Sequence, residues 1–345
     1  MSNFTWYINL PYFRHMLSGK ELILATQPFA KEISWKSWYY TFSAFSLLIA
    51  FIAGTYFTPF IWTKILCSFS SALLAARCFM IFHDYQHHTI LRKSRLAQFI
   101  FTAFGMYMLT PASIWKRSHD HHHNNNSKLF SASIGSFPIM TKETFLKAPN
   151  KDKKIYMAVR HPLTIIFAYF TMFMYGMCLR SFLSSPRRHW DSLLVLILHI
   201  CTAVFLVAYF GPQTWFLTLF LPLFIVHMLG AYLFYAQHNF PGVIFRNNID
   251  WSYEHAAMES SSYMAMNPFM QWVTANIGFH HIHHINSKIP FYRLPEAMEN
   301  IPELQRSNVI RLTPSDIIKC LRLKLWDAGQ NKMISLVEIK KSKKD

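Results

Sequence analysis

Residues 118–126, SHDHHHNNN, place His119, His122 and His123 in the spacing H-x-x-H-H. On a helix, positions i, i+3 and i+4 share one face, so three imidazoles can converge on one metal ion or on a pair of ions. His121 points elsewhere in that geometry. A polar loop or a purification tag has a similar composition, but this run is internal and Asp120 interrupts it. Histidine is the commonest metal-ligating side chain, so metal binding is the first chemistry these residues suggest.

The spacing recurs along the chain. His280, His283 and His284 repeat it within GFHHIHH, His83 and His87 stand i, i+4 in HDYQHH, and a single His238 lies in YAQHNF. Of 18 histidines, these placements set apart nine candidate ligands: His83, His87, His119, His122, His123, His238, His280, His283 and His284. Nine nitrogens are too many for one tetrahedral ion, and two metals fit better. All-nitrogen ligation suits zinc, copper, nickel or iron, so the donor count alone does not name the metal. The Glu-x-x-His pairs of soluble di-iron bundles are absent, as is the H-E-x-x-H of zinc proteases. His88, His121 and His281 read as neighbours of the ligands or as solvated side chains. Asp84, Asp120 and Glu259 are candidates to fix ligand tautomers; each reads equally well as a solvated carboxylate or a helix cap. His15, His161, His189, His199, His227 and His255 have no partner spacing and read as structural.

Positioning these side chains calls for a membrane scaffold. The 345 residues are 52% hydrophobic and 17% aromatic but only 15% charged, a balance typical of membrane proteins. Residues 38–57 and 61–82 each have the length of a bilayer crossing, about 20 residues, and the uncharged Thr58-Pro59-Phe60 turns one into the other. Lys64 and Arg77 lie near the ends of the second run, placed to snorkel. The first run begins too late for a cleaved signal peptide and reads as a retained anchor. Residues 96–110 form a shorter run, closed by Pro111, that reads as re-entrant or interfacial. Three more apolar runs follow, at 163–179, 193–210 and 217–235. Basic residues border the first of these on both sides, which keeps both its ends cytosolic by the positive-inside tendency. We therefore read 163–179 as in-plane or re-entrant, and the other two as a hairpin turned at Gly211-Pro212-Gln213-Thr214. The expected fold is an all-α integral membrane protein. It has four transmembrane helices, interfacial or re-entrant helices, and a cytosolic helical cap holding the metal site, with both termini cytosolic. This topology gathers all four histidine placements at one membrane face.

Three segments follow from the pattern. Residues 1–37 are an interfacial, cytosolic start, 38–300 the membrane domain with the histidines, and 301–345 a cytosolic C-terminal segment in which 303–325 is expected to be helical. The Lys-rich tail, residues 340–344, reads as disordered and near anionic lipid. Lys and Arg total 34 against 17 Asp and Glu, a net charge of +17. That excess suits anionic headgroups and an acidic protein partner; basic residues that mostly flank apolar runs do not suit nucleic acid. The five cysteines form no C-x-x-C and suggest neither a zinc knuckle nor a disulfide framework.

The boxes HDYQHH, SHDHHH, YAQHNF and GFHHIHH resemble those of the membrane fatty acid desaturase family, as do the order of apolar runs and the segment Pro290-Phe291-Tyr292-Arg293-Leu294-Pro295. The resemblance covers roughly residues 38–300. It implies two iron ions held by the histidine boxes and O2 as co-substrate. It further implies a double bond inserted into a lipid or thioester acyl chain, with electrons from a separate ferredoxin or b-type cytochrome. His161-Pro162 lacks the Gly-Gly of a fused cytochrome haem motif, so the donor is expected to be a separate protein. The implied location is a bacterial inner membrane or the endoplasmic reticulum. A hydroxylase or ketolase acting on an acyl chain, sphingolipid or carotenoid shares the scaffold. A metal transporter or sensor is the remote alternative. Transport ligands sit near the bilayer midplane, whereas these histidines lie at span ends.

Overall fold

The computed structural model describes residues 16–129 and 135–341. Four helices among them are long and apolar enough to cross a membrane: α1 (Ser34–Phe57), α2 (Ile61–Gln86), and, after several shorter helical segments, α5 (Trp190–Phe210) and α6 (Pro212–His238). The α1–α2 turn is made by Thr58 in extended conformation before Pro59, because the residue before a proline disfavours the α region. Between α5 and α6, Gly211 takes φ 83°, a conformation open to glycine, and Pro212 starts the next helix.

Helix α2 is the centre of the bundle. It buries Ser68, Ser71, Ala72, Ala75 and Ala76, small side chains that let neighbouring helices approach closely, and it packs along both α1 and α6. Helix α5, by contrast, buries only Ser192, Val195 and His199, leaving most of its apolar surface for lipid.

The first two of the shorter helices are α3 (Arg95–Tyr107) and α4 (Ala112–Asn125). At 1.5 Å per residue, the 13 residues of α3 reach about 20 Å, short of a bilayer core of about 30 Å. Its N-terminus is capped by the Ser94 hydroxyl, which accepts the Ala97 N–H at 3.1 Å. The run at 163–179 is likewise not one of the four spans. It is divided among Pro162–Ile166, a π-helical stretch Tyr169–Arg180 and the short turn Ser181–Ser184.

Beyond α6 the chain folds back over the ends of α2 and α4 through α7 (Pro268–Val273), α8 (His280–Ile285) and α9 (Pro314–Arg322). Two small sheets stiffen this cap. Strands β1 (Tyr263–Ala265) and β2 (Val309–Arg311) pair in parallel, while β3 (Leu323–Asp327) and β4 (Lys332–Ser335) form an antiparallel hairpin.

Two expectations change here. The helix expected over 303–325 is divided into a 3-10 turn Pro302–Arg306, β2, α9 and the start of β3. Thr313 and Pro314 start a new helix, the Thr313 hydroxyl accepting the Asp316 N–H at 3.3 Å, and β2 is instead recruited by the β1 backbone. Arg77 does not snorkel either: it is 3% exposed, with its guanidinium 4.4 Å from the Trp272 ring centroid. Residues 1–15 and 342–345, which carry His15 and most of the Lys-rich tail, lie outside the described residues.

Candidate metal centre

Four elements deliver histidines to one place. Helix α2 brings His83 in its last turn and His87 just past its end; there His88 takes φ 57° and turns the chain away. Helix α4 brings His119, His122 and His123, the end of α6 brings His238, and α8 brings His280, His283 and His284. All nine candidate histidines, the eight in spaced boxes and the lone His238, are gathered in two groups, and within each group the donor nitrogens lie within 4.8 Å of one another. His83, His87, His119, His123 and His283 form one group; His122, His238, His280 and His284 form the other.

The H-x-x-H-H boxes are shared between these groups. Each box sends its i, i+4 pair to one group and its i+3 histidine to the other: His119 and His123 join His283, while His280 and His284 join His122. A helix turns 100° per residue, so i and i+4 lie 40° apart while i+3 lies 60° beyond the first on the other side. One helix face thus addresses two adjacent points. The groups touch, with the His123 and His284 rings stacked at a centroid distance of 4.3 Å.

The ring nitrogens fit a cation. His238 Nδ1 donates to the Ser260 carbonyl at 2.9 Å, which leaves its Nε2 as a bare lone pair. That Nε2 lies 3.0 Å from His122 Nε2 and 2.8 Å from His280 Nε2. In the other group His119 Nε2 stands 2.9 Å from His87 Nε2 and 3.2 Å from His123 Nε2, and His123 Nε2 stands 3.1 Å from His283 Nε2. A neutral imidazole has one N–H, so a cluster of facing Nε2 atoms is satisfied by a shared cation better than by hydrogen bonds. Burial, reinforced by neighbouring histidines, pushes the pKa of His87, His119, His122, His123, His280, His283 and His284 well below the usual histidine range. These imidazoles are therefore neutral near pH 7, the form that ligates metal.

The surroundings orient the rings. Asp84 Oδ2 accepts the Phe291 N–H at 2.7 Å while its Oδ1 faces His83 Nδ1 at 3.4 Å. Asp120 and Glu259 do not reach the site: the first pairs with Lys116 at 2.8 Å and the second with Arg246 at 2.6 Å. Ser136 Oγ, 2.8 Å from His122 Nδ1, and the Trp115 ring, stacked on His119 at 4.8 Å, complete the setting. Trp115 was legible as the i−4 neighbour of His119. Ser136 and the Ser260 carbonyl had no sequence signal. Gly278 pins α8 to β1: its carbonyl accepts the Met264 N–H at 2.8 Å, and a Cβ there would lie 2.4 Å from the Met264 oxygen.

The remaining described histidines stay out of both groups. His281 donates Nε2–H to the Leu304 carbonyl at 2.9 Å, His88 is exposed, and His121 neighbours Asn125. His161 caps the Leu163 N–H, His189 meets Ser113 Oγ, His199 meets Tyr169 Oη, His227 bridges two carbonyls and His255 lies beside Glu254.

Comparison with known proteins shows the family. The profile of the fatty acid desaturase family matches residues 59–314. A fatty acid desaturase of Bacillus subtilis is 31% identical over 267 residues, covering 76% of this chain and 75% of that protein. An sn-1 oleoyl-lipid 12-desaturase of Synechocystis sp. is 22% identical over 245 residues, 70% of this chain and 67% of its own. A Delta(12)-oleate desaturase of Trichosanthes kirilowii is 23% identical over 300 residues, 81% of this chain and 80% of its own. With the family's profile spanning most of the chain and four apolar helices carrying the histidine groups, the chain belongs to the fatty acid desaturase family and is a membrane desaturase enzyme.

Proposed function

We propose that the nine gathered histidines hold two iron ions, and that the enzyme uses O2 to introduce a double bond into the acyl chain of a membrane lipid or acyl thioester. The observation carrying this reading is the sharing of two H-x-x-H-H boxes between two touching all-nitrogen groups. When bound, the iron pair supplies the redox chemistry: two adjacent methylenes lose two hydrogens, and O2 takes these together with two electrons and two protons to leave as two waters. Burial holds the imidazoles of His87, His119, His122, His123, His280, His283 and His284 neutral, and the protein fixes the orientation of His238 through the Ser260 carbonyl and that of His83 beside Asp84. The two electrons come from a separate ferredoxin or b-type cytochrome, a partner whose acidic surface matches the +17 chain. Both termini and the cap are assigned to the cytosol, as the charge bordering residues 163–179 suggests.

Expression in a host without polyunsaturated lipids, with a competent reductant present, followed by fatty-acid chromatography, tests the proposal. The expected result is a new double bond. An unchanged acyl profile would count against it, and an added oxygen in the product would move the assignment to a hydroxylase or ketolase.

A further inference from the structure

Arg77 lies within the span of α2, six residues before His83, or about 9 Å along the helix axis. Its guanidinium is buried, at 3% exposure, and no described carboxylate lies within ion-pair distance. One nitrogen, Nη1, donates to the Trp272 carbonyl; Nε is buried without a partner. The ring of Trp272 covers the group at 4.4 Å, with Tyr40 at 5.7 Å and Phe291 at 6.0 Å. A buried guanidinium without a counter-anion carries a large desolvation penalty that aromatic faces offset only in part. Arg77 also lines a cavity of about 250 Å³ walled by Tyr40, Gln271, Trp272, Asn276 and Phe291, several times the roughly 30 Å³ that one water occupies in the liquid. Beside it, Phe269 and Trp272 of α7 are exposed at 57% and 43%, an aromatic rim of the kind that suits the membrane–water interface.

We propose that this cavity binds the phosphate group of a membrane lipid, with Arg77 as its counter-ion and the lipid's chains lying along the Phe269 and Trp272 rim. A planar guanidinium fork matches phosphate oxygens, and a span position reached from the aromatic rim favours a ligand that arrives with acyl chains. The site contains none of the nine histidines, so it stands or falls independently of the iron and O2 chemistry.

The test is displacement of a fluorescent phosphatidylglycerol from the purified full-length protein in detergent, a readout that needs no turnover. Unlabelled phosphatidylglycerol is expected to displace the probe, while diacylglycerol of the same chains and inorganic phosphate are expected to do so at least about tenfold less well. R77Q is expected to weaken probe binding about tenfold or more, through the loss of one charge-assisted contact. If R77Q does not fold, Gln271→Trp, which fills the cavity and leaves Arg77 in place, is expected to give the same loss. Equal displacement by diacylglycerol, by inorganic phosphate or by a free fatty acid would overturn the assignment, as would unchanged probe binding in both variants.

Discussion

At the scale of single residues, the site separates histidines that donate a nitrogen to a group from those that only neighbour one. His122 and His283 are the i+3 members that cross from one box to the other group. Each is 1% exposed, yet neither is an apolar residue of a membrane span. His122→Ala and His283→Ala are therefore expected to lower activity roughly 100-fold or more, since losing a ligand exceeds the 10–100-fold effect typical of losing a ligand's partner. Protein recovered from the membrane fraction should stay at the wild-type level. Measured turnover near wild type in either variant would remove that residue from the ligand set. Asp84 is such a partner: it faces His83 and accepts the Phe291 N–H. Asp84→Ala is expected to weaken metal affinity by about 10–100-fold, read by chelator competition on the purified protein. Unchanged affinity would reduce Asp84 to a support for the Phe291 backbone.

At the scale of elements, the question is which helices cross. Helices α1, α2, α5 and α6 each have the length and apolarity to do so, whereas α3 and the broken run from Pro162 to Ser184 do not have it in one piece. The proposed topology of four crossings would put the loops at Thr58 and Gly211 on one side of the membrane, and Lys147 and Lys332 on the other with the histidines. Single cysteines placed at Gln213 and at Lys147, in a variant lacking Cys201, are expected to react with a membrane-impermeant thiol reagent from opposite sides. Labelling of both from one side would require 163–179 to cross after all.

At the scale of the whole molecule, the centre exists only when α2, α4, α6 and α8 are assembled, so its protonation reports on folding. Seven of the histidines have pKa values lowered by burial, against about 6.5 in an unfolded chain. Below that pH the unfolded chain binds protons that the folded chain does not. Stability is accordingly full above about pH 6.5 and is lost as pH falls from there toward the folded values. Metal-free protein in detergent is expected to show a constant unfolding temperature between pH 8 and 7 and a falling one from pH 6.5 to 5; a flat profile across that range would contradict the burial seen here. Metal should be released over the same interval, because protons compete for the same nitrogens.

Much of this molecule was legible in the chain, for local reasons. Eight of the nine histidines announced themselves because metal-ligand spacing on a helix is a property of at most five consecutive residues; His238 stands alone in the chain and was drawn in by the family resemblance. The four spans announced themselves because a bilayer demands about 20 apolar residues at a stretch. Other features depend on groups far apart in sequence, which no local pattern records. The division of each H-x-x-H-H box between two groups required α4 and α8 to face each other, since spacing alone permits all three rings to serve one ion. The β1–β2 pair, which replaced part of an expected helix, needed a strand from residue 263 to meet one from residue 309. Arg77 read as a snorkelling side chain until Trp272, 195 residues later, closed over it. Sequence determined the donors and the membrane that carries them. Tertiary packing decided which donors share a point in space, because that depends on helix orientation rather than on neighbours along the chain.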